Sequence, residues 1–284
     1  MEVYSSNMLT RILTSVIALL IFVPVLIFSH TIAFDIAIAF ASCVGTLELL
    51  KCVGIFKKYA ISVPSVIVSC LIPLLIRYIN TKAVVIIIIA YLFYLLYAAV
   101  FARKQNSTND IALCFFSTVL VTISFTSIII TRNLKPYGDI LYLLIFIGAW
   151  STDTFAYFTG KLFGKHKFTD ISPNKTIEGV IGGIVFCSLA FVIYGFIIAK
   201  LDMFTAEPNY ILLACAGIVT SAISMLGDLS MSAIKRNYNI KDYGTIFPGH
   251  GGILDRFDSV MAVAPAIMII GAALLKLGGH GLFM

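Results

Sequence analysis

Charge is scarce in this chain. Of its 284 residues only 12% are Asp, Glu, Lys or Arg, while 60% are hydrophobic. A soluble domain carries about 25% charged and roughly 45–50% apolar residues. The shortage excludes a water-soluble globule, a coiled coil and a disordered chain, since none of these holds so much apolar surface. The six cysteines, Cys43, Cys52, Cys70, Cys114, Cys187 and Cys215, form no CxxC pair, so neither a zinc site nor a redox motif is indicated. They lie in or beside apolar runs and read as small apolar residues. No GxxxxGK[ST] is present, which removes a P-loop kinase. The net charge of +6 makes no case for nucleic acid, because basic residues in a membrane protein first report topology.

What is present is a series of long apolar runs. A spanning helix needs about 20 mostly apolar residues. Nine segments qualify: 12–30, 32–50, 60–79, 83–102, 111–130, 138–158, 177–199, 210–230 and 259–279. The first has no small-residue cleavage site and is followed at once by another apolar segment, so it reads as a retained span and not a signal peptide. The expected fold is an all-α polytopic membrane protein with nine transmembrane helices. Alternating the connections across the bilayer puts 14 Lys and Arg on one side, including Arg11, Lys57, Lys104, Lys165, Lys175, Lys235 and Arg256, and six on the other. The positive-inside rule makes the richer side cytoplasmic, with the N-terminus inside and the C-terminus outside. Trp150 and the tyrosines near span ends fit an interfacial belt. No internal repeat, low-complexity tract or soluble domain interrupts the pattern. Residues 1–284 read as a single membrane domain, with N-terminal spans over 1–135 as a scaffold or dimer region and a catalytic half over 136–284.

The polar residues are not spread evenly. Residues 151–178 and 228–258 hold 15 of the 34 charges. Solvated basic loops account for Lys161, Lys165 and Lys167. They do not account for Asp153 and Asp228, which sit within or beside apolar runs, where ionisable groups are costly and mark polar cavities or ion sites. Asp228, Asp255 and Asp258 are hard oxygen donors suited to Mg²⁺. Lys235 and Arg236 lie close in sequence, as phosphate binding needs. The run Pro248–Gly252 holds three glycines, which lets backbone amides approach an anion. Asp228, Ser232, Lys235 and Arg236 are spaced to share one helical face. These are parts for phosphoryl or nucleotidyl transfer, where positioning and charge neutralisation carry the catalysis.

The run Ser232-x-Ile-Lys235-Arg236-x₄-Lys241-Asp242-x-Gly244-x₂-Phe247-Pro248-x-His250-Gly251-Gly252-Ile253-x-Asp255-Arg256-Phe257-Asp258 resembles the signature of the phosphatidate cytidylyltransferase (CDP-diacylglycerol synthase) family, bacterial type. Upstream, Asp153-Thr154-Phe155-Ala156-Tyr157, Gly160, Gly164-Lys165, Ser172-Pro173-Asn174-Lys175-Thr176-Ile177-Glu178-Gly179 and Gly182-Gly183 are similar to a second region of that family. Asn174 and Ile177 depart from it, standing where Lys and an aromatic are common. The resemblance covers residues 150–258, while the earlier spans match in layout.

The resemblance implies an enzyme of phospholipid biosynthesis, in which CTP and phosphatidic acid give CDP-diacylglycerol and pyrophosphate. The lipid phosphate would attack the α-phosphorus of CTP in line, with no strong general base. It also implies a homodimer among membrane lipids, in the cytoplasmic (inner) membrane of a bacterium, with the site facing the cytoplasm. Asp228 and Asp255 would hold a paired metal centre containing Mg²⁺ and a second ion, divalent or monovalent. Lys235, Arg236, Lys175 and Arg256 would take phosphates, and His250 would polarise a phosphate oxygen or brace its turn. Asp258 is either a third ligand or a partner of Arg256. Asp153 belongs to the site or caps a helix end. Ser172 and Thr176 contact substrate or cap the following span. Ser232, Lys241, Gly251 and Gly252 complete the substrate-binding set, with Lys241 and Asp242 also able to pair with each other. His30, His166 and His280 have no clustered partners and read as structural. Glu48 and Asp35 are polar residues in apolar runs with no nameable partner. Two alternatives stand beside this reading. One is a CTP-dependent lipid alcohol kinase of the same superfamily. The other is a cation-coupled transporter, which should show paired broken spans in two similar halves. A CDP-alcohol phosphotransferase is set aside because its clustered DG…AR…G…D…D pattern is missing.

Overall fold

In a bilayer core the backbone has no water to bond, so an apolar run must satisfy its amides internally by forming helix. The computed structural model describes residues 14, 16–18, 20–103, 105–201, 207–276 and 282–283. Arg11, Lys104, His280 and the outer ends of the first and ninth expected spans lie outside these residues. The helices are α1 (Val16–Ile27), α2 (Ile32–Cys52), α3 (Tyr59–Leu75), α4 (Thr81–Phe101), α5 (Thr108–Arg132), α6 (Gly138–Phe163), α7 (Ile177–Lys200), α8 (Tyr210–Asn237) and α9 (Leu254–Lys276). Among the described residues extended backbone is limited to isolated bridges such as Lys167–Thr176 and Phe247–Gly251. Each of the nine expected spans contains a helix among the described residues. Seven, α2 and α4 through α9, are long and apolar enough to cross a membrane, while α3 and α1 are shorter. The chain is an integral membrane protein.

Three boundaries differ from expectation. α6 runs on to Phe163, α8 runs on to Asn237, and α9 starts at Leu254. The polar connections are therefore 164–176 and 238–253, shorter than the 159–176 and 231–258 left between the expected spans. Hydropathy marks where the bilayer ends, whereas helical hydrogen bonding continues wherever side chains find water or one another. The consequence is that Asp153 and Asp228 lie well inside helices, and that Asp255 and Asp258 sit in the first turns of α9.

The chain forms two compact units. The first comprises Met1–Ile129 with Asn237–Phe257, and the second Ile130–Arg236 with Asp258–Met284. In the first unit Leu50, Ile55, Ile61, Tyr91, Leu95 and Cys114 share a buried core. A polar network threads it. Ser65 Oγ lies 2.6 Å from the Tyr91 hydroxyl, which lies 3.0 Å from Thr118 Oγ1. Pro64 lies inside α3 and lacks the N–H that would bond the carbonyl of Ala60. The Tyr94 hydroxyl donates to that carbonyl instead, at 2.7 Å. Asp35, fully buried, pairs with Arg77 at 2.6 Å, and Arg77 also donates to the His30 carbonyl at 3.0 Å.

In the second unit small residues let helices approach closely, as membrane packing favours. A Cβ on Gly148 would stand 2.5 Å from Thr220, and one on Gly217 would stand 2.6 Å from the Ser188 backbone. Many large apolar side chains remain exposed, among them Phe93, Phe101, Ile181 and Ile211. On a membrane helix these are lipid-facing surface.

Candidate functional site

Within the second unit, acidic residues converge where α8 and α9 cross. Gly227 makes the crossing possible: a Cβ there would meet Ala262 at 2.5 Å and the Asp258 carbonyl at 3.1 Å. The next residue, Asp228, is thereby brought close enough to Asp258 for their charges to interact, and Asp153 and Lys235 act on Asp258 as well. Asp153, on α6, accepts a hydrogen bond from Ser259 Oγ at 2.8 Å. It therefore faces α9 and does not cap its own helix. Asp228 Oδ2 forms an ion pair with Lys175 Nζ at 2.5 Å, both side chains being about three-quarters buried at 23% and 24% exposure. Ser232 Oγ donates to Asp228 Oδ1 at 3.3 Å, as one turn of helix between them requires.

Lys175 reaches Asp228 from a short hairpin between α6 and α7. The Phe168 amide donates to the Lys175 carbonyl and the Ile177 amide to the His166 carbonyl, each at 2.9 Å. The Lys175 amide closes a turn onto the Ser172 carbonyl at 3.0 Å. Thr176 caps α7, its Oγ1 accepting from the Gly179 amide at 3.1 Å. His166 pairs with Glu178 at 2.7 Å, a partner that its sequence surroundings did not suggest. Lys235 is half-buried near the end of α8, and Arg236 is exposed beside it.

In the first unit the glycine-rich segment leads into α9. Gly249 and Gly251 have φ of +75° and +84°, the left-handed region that side chains avoid. The Phe247 amide donates to the Gly251 carbonyl at 2.9 Å, pinching the segment into a loop. His250 Nδ1 lies 2.8 Å from Thr14 Oγ1, which also reaches the Pro248 carbonyl. Asp255 is 8% exposed. Its Oδ2 accepts from the amides of Tyr243 at 2.7 Å and Gly252 at 3.0 Å. Glu48, 4% exposed, accepts from the amides of Ile253 and Leu254 at 3.0 and 2.9 Å. Lys241, Asp242 and Arg256 are exposed, and Lys241 and Asp242 form no ion pair with each other among the described residues.

Sequence reasoning named the acids but not their partners. Glu48 and Asp35 stood out as charges in apolar runs. Nothing in the sequence linked Glu48 to a segment 205 residues away, Asp35 to Arg77, Asp153 to Ser259 or His250 to Thr14. Among the described residues no three His, Cys, Asp or Glu gather into a metal cage. Mg²⁺ needs no such cage, because it binds through one or two carboxylates and completes its shell with water and substrate phosphate. The hard oxygens of Asp228 and Asp258 fit that requirement.

The model of the cytidylyltransferase family matches residues 9–274. A phosphatidate cytidylyltransferase from Staphylococcus haemolyticus is 37% identical over 273 residues, covering 93% of this chain and 98% of the relative. One from Staphylococcus aureus is 37% identical over 269 residues, with the same coverage of each, and one from Staphylococcus epidermidis is 38% identical over 273 residues. The chain belongs to the cytidylyltransferase family.

Proposed function

We propose that this protein is a phosphatidate cytidylyltransferase: it joins CTP to phosphatidic acid, giving CDP-diacylglycerol and pyrophosphate for phospholipid synthesis. The observation that carries the reading is the match to relatives of that name over 93% of the chain at 37% identity. The site chemistry supports it. Both substrates are anions, so their approach is unfavourable until cations offset the charge. Lys175 pairs with Asp228, and Lys235 is near enough to act on the charge of Asp258, so cations lie close to the carboxylates proposed to hold metal.

In the proposed reaction the phosphate oxygen of phosphatidate attacks the α-phosphorus of CTP, and pyrophosphate leaves in line. The nucleophile is already ionised near neutral pH, so no side chain has to remove a proton. Lys175, Lys235, Arg236 and Arg256 hold phosphates, and His250, fixed at Nδ1 by Thr14, polarises a phosphate oxygen. Ser172, Thr176, Ser232, Lys241, Gly251 and Gly252 shape the substrate-binding surface, and Asp153 orients α9 through Ser259. Asp228 and Asp255 are the proposed ligands of Mg²⁺ and a second ion, with Asp258 a third candidate. Bound Mg²⁺ would neutralise phosphate charge and polarise the α-phosphorus.

The proposed setting is the inner membrane of a bacterium, with the N-terminus and the active site on the cytoplasmic side and the protein a homodimer. The charge asymmetry of the connections supports this orientation. The reading is tested by incubating the purified protein in detergent with CTP, phosphatidic acid and Mg²⁺, and analysing lipid by mass spectrometry. CDP-diacylglycerol and pyrophosphate should form in equal amounts. Conversion of a lipid alcohol to its phosphate, with CDP released, would replace this reading by that of a kinase.

A further inference from the structure

We infer that Glu48, on α2, is a positioning residue: its carboxylate clamps the glycine-rich segment 243–253 onto the start of α9 and so sets where Asp255 stands. The inference rests on the role proposed above for Asp255. A carboxylate 4% exposed has given up its hydration and must recover it from hydrogen bonds. Glu48 recovers it from two consecutive amides, Ile253 at 3.0 Å and Leu254 at 2.9 Å. These lie at the N-terminus of α9, where amides have no partner within the helix and the helix dipole favours an anion. Caps of this kind usually come from a residue next to the helix. Here the acid comes from 205 residues away, so it joins two parts of the unit that the chain itself does not hold together.

Asp255 stands beside it, close enough for the two charges to interact. Its Oδ2 is held by the amides of Tyr243 and Gly252. Four amides of one short segment thus serve two adjacent carboxylates. Moving Glu48 would shift Ile253 and Leu254, and with them Gly252, which holds Asp255. The glycines of the motif fit the same account. A Cβ on Gly252 would stand 2.2 Å from Glu48 Oε1, with all three of its nearest atoms on the Glu48 carboxyl, and one on Gly244 would stand 2.3 Å from the same oxygen. These two positions are glycine because Glu48 occupies the space, whatever substrate passes nearby. A cap serving stability alone would be met by a neutral side chain without setting two like charges side by side.

The test uses the full chain in detergent with Glu48→Gln, Glu48→Ala, Gly252→Ala, the double variant Glu48→Ala/Gly252→Ala, and Asp255→Asn. A glutamine keeps the size but offers one acceptor where two were used. Transfer from CTP to phosphatidic acid is followed as separate kcat and KM values, and amide hydrogen exchange is measured over 243–256 and over α7 as a control. Loss of a supporting interaction of this type costs about 10–100-fold in activity. Glu48→Gln should therefore lose about 10–100-fold in kcat with the KM values for both substrates little changed. Exchange should quicken over 243–256 and not in α7. Gly252→Ala should be similarly impaired, and the double variant no worse than Glu48→Ala. Gly244→Ala presses on the same oxygen and keeps the test open if the Glu48 variants do not accumulate. Wild-type kcat in Glu48→Gln, unchanged exchange over 243–256, or additive losses in the double variant would overturn the inference. Asp255→Asn separates the two claims. Full activity there overturns the role given to Asp255, and the catalytic consequence of Glu48 with it. Loss there beside an active Glu48→Gln overturns the Glu48 inference alone.

Discussion

Replacing Lys175 with Met removes the cation that Asp228 pairs with at 2.5 Å and leaves the carboxylate facing Asp258 without it. An exposed ion pair is worth about 0–1 kcal/mol, while breaking a buried one costs about 3–5 kcal/mol. With the two side chains 24% and 23% exposed, this pair falls between those limits, and about 1–3 kcal/mol is expected after discounting for solvent screening. At about 2–4 °C per kcal/mol, the melting temperature in detergent should fall by roughly 2–12 °C. The second half of a double-mutant cycle makes the test specific. Asp228→Asn removes the stranded charge, so Lys175→Met/Asp228→Asn should recover at least about 1 kcal/mol of the sum of the single losses. Both single variants should also lose activity, because both residues have proposed roles in transfer. Single effects that add within about 0.5 kcal/mol would show that the two side chains do not interact, and would refute the charge balance derived for Asp228.

Other consequences are more local. Arg77→Met strands the fully buried Asp35 and should lower stability by about 3–5 kcal/mol. Adding Asp35→Leu should restore much of it, as thermal melts would show. Gly148→Val drives a side chain into Thr220, and overpacking of this kind costs typically about 1–3 kcal/mol, visible as a lower yield of monodisperse protein. Glu178→Gln removes a pair whose His166 side is 72% exposed, and because water screens such a pair the melting temperature should be nearly unchanged. Chelating Mg²⁺ should abolish transfer and leave the melting temperature of substrate-free protein nearly unchanged.

Membrane helices were legible because one physical demand, an internally satisfied backbone in hydrocarbon, produces a long and unmistakable apolar run. Their ends were less legible. Asp153 and Asp228 lie near the expected span ends at 158 and 230, because hydropathy falls there, yet α6 and α8 continue for ten and nine residues beyond them to Phe163 and Asn237. The acids of the site were visible through their cost in an apolar setting. Their partners were not, since the pairing of Glu48 with Ile253 and Leu254 depends on tertiary packing and leaves no periodic mark. The glycines of 244–252 show the same limit. The pattern suggested amides turned toward an anion, and the structure reveals that the anions met by the Gly252, Ile253 and Leu254 amides are the protein's own carboxylates.

In the proposed reaction the nucleotide's α-phosphorus passes to a phospholipid. It is tested most directly by supplying α-³²P-labelled CTP to the purified protein with phosphatidic acid and Mg²⁺, and counting the chloroform-soluble phase. Label should enter lipid and disappear when phosphatidic acid or Mg²⁺ is omitted. Lipid label arising only from γ-³²P-labelled CTP with a lipid alcohol, or no lipid label from either nucleotide in folded protein, would contradict it.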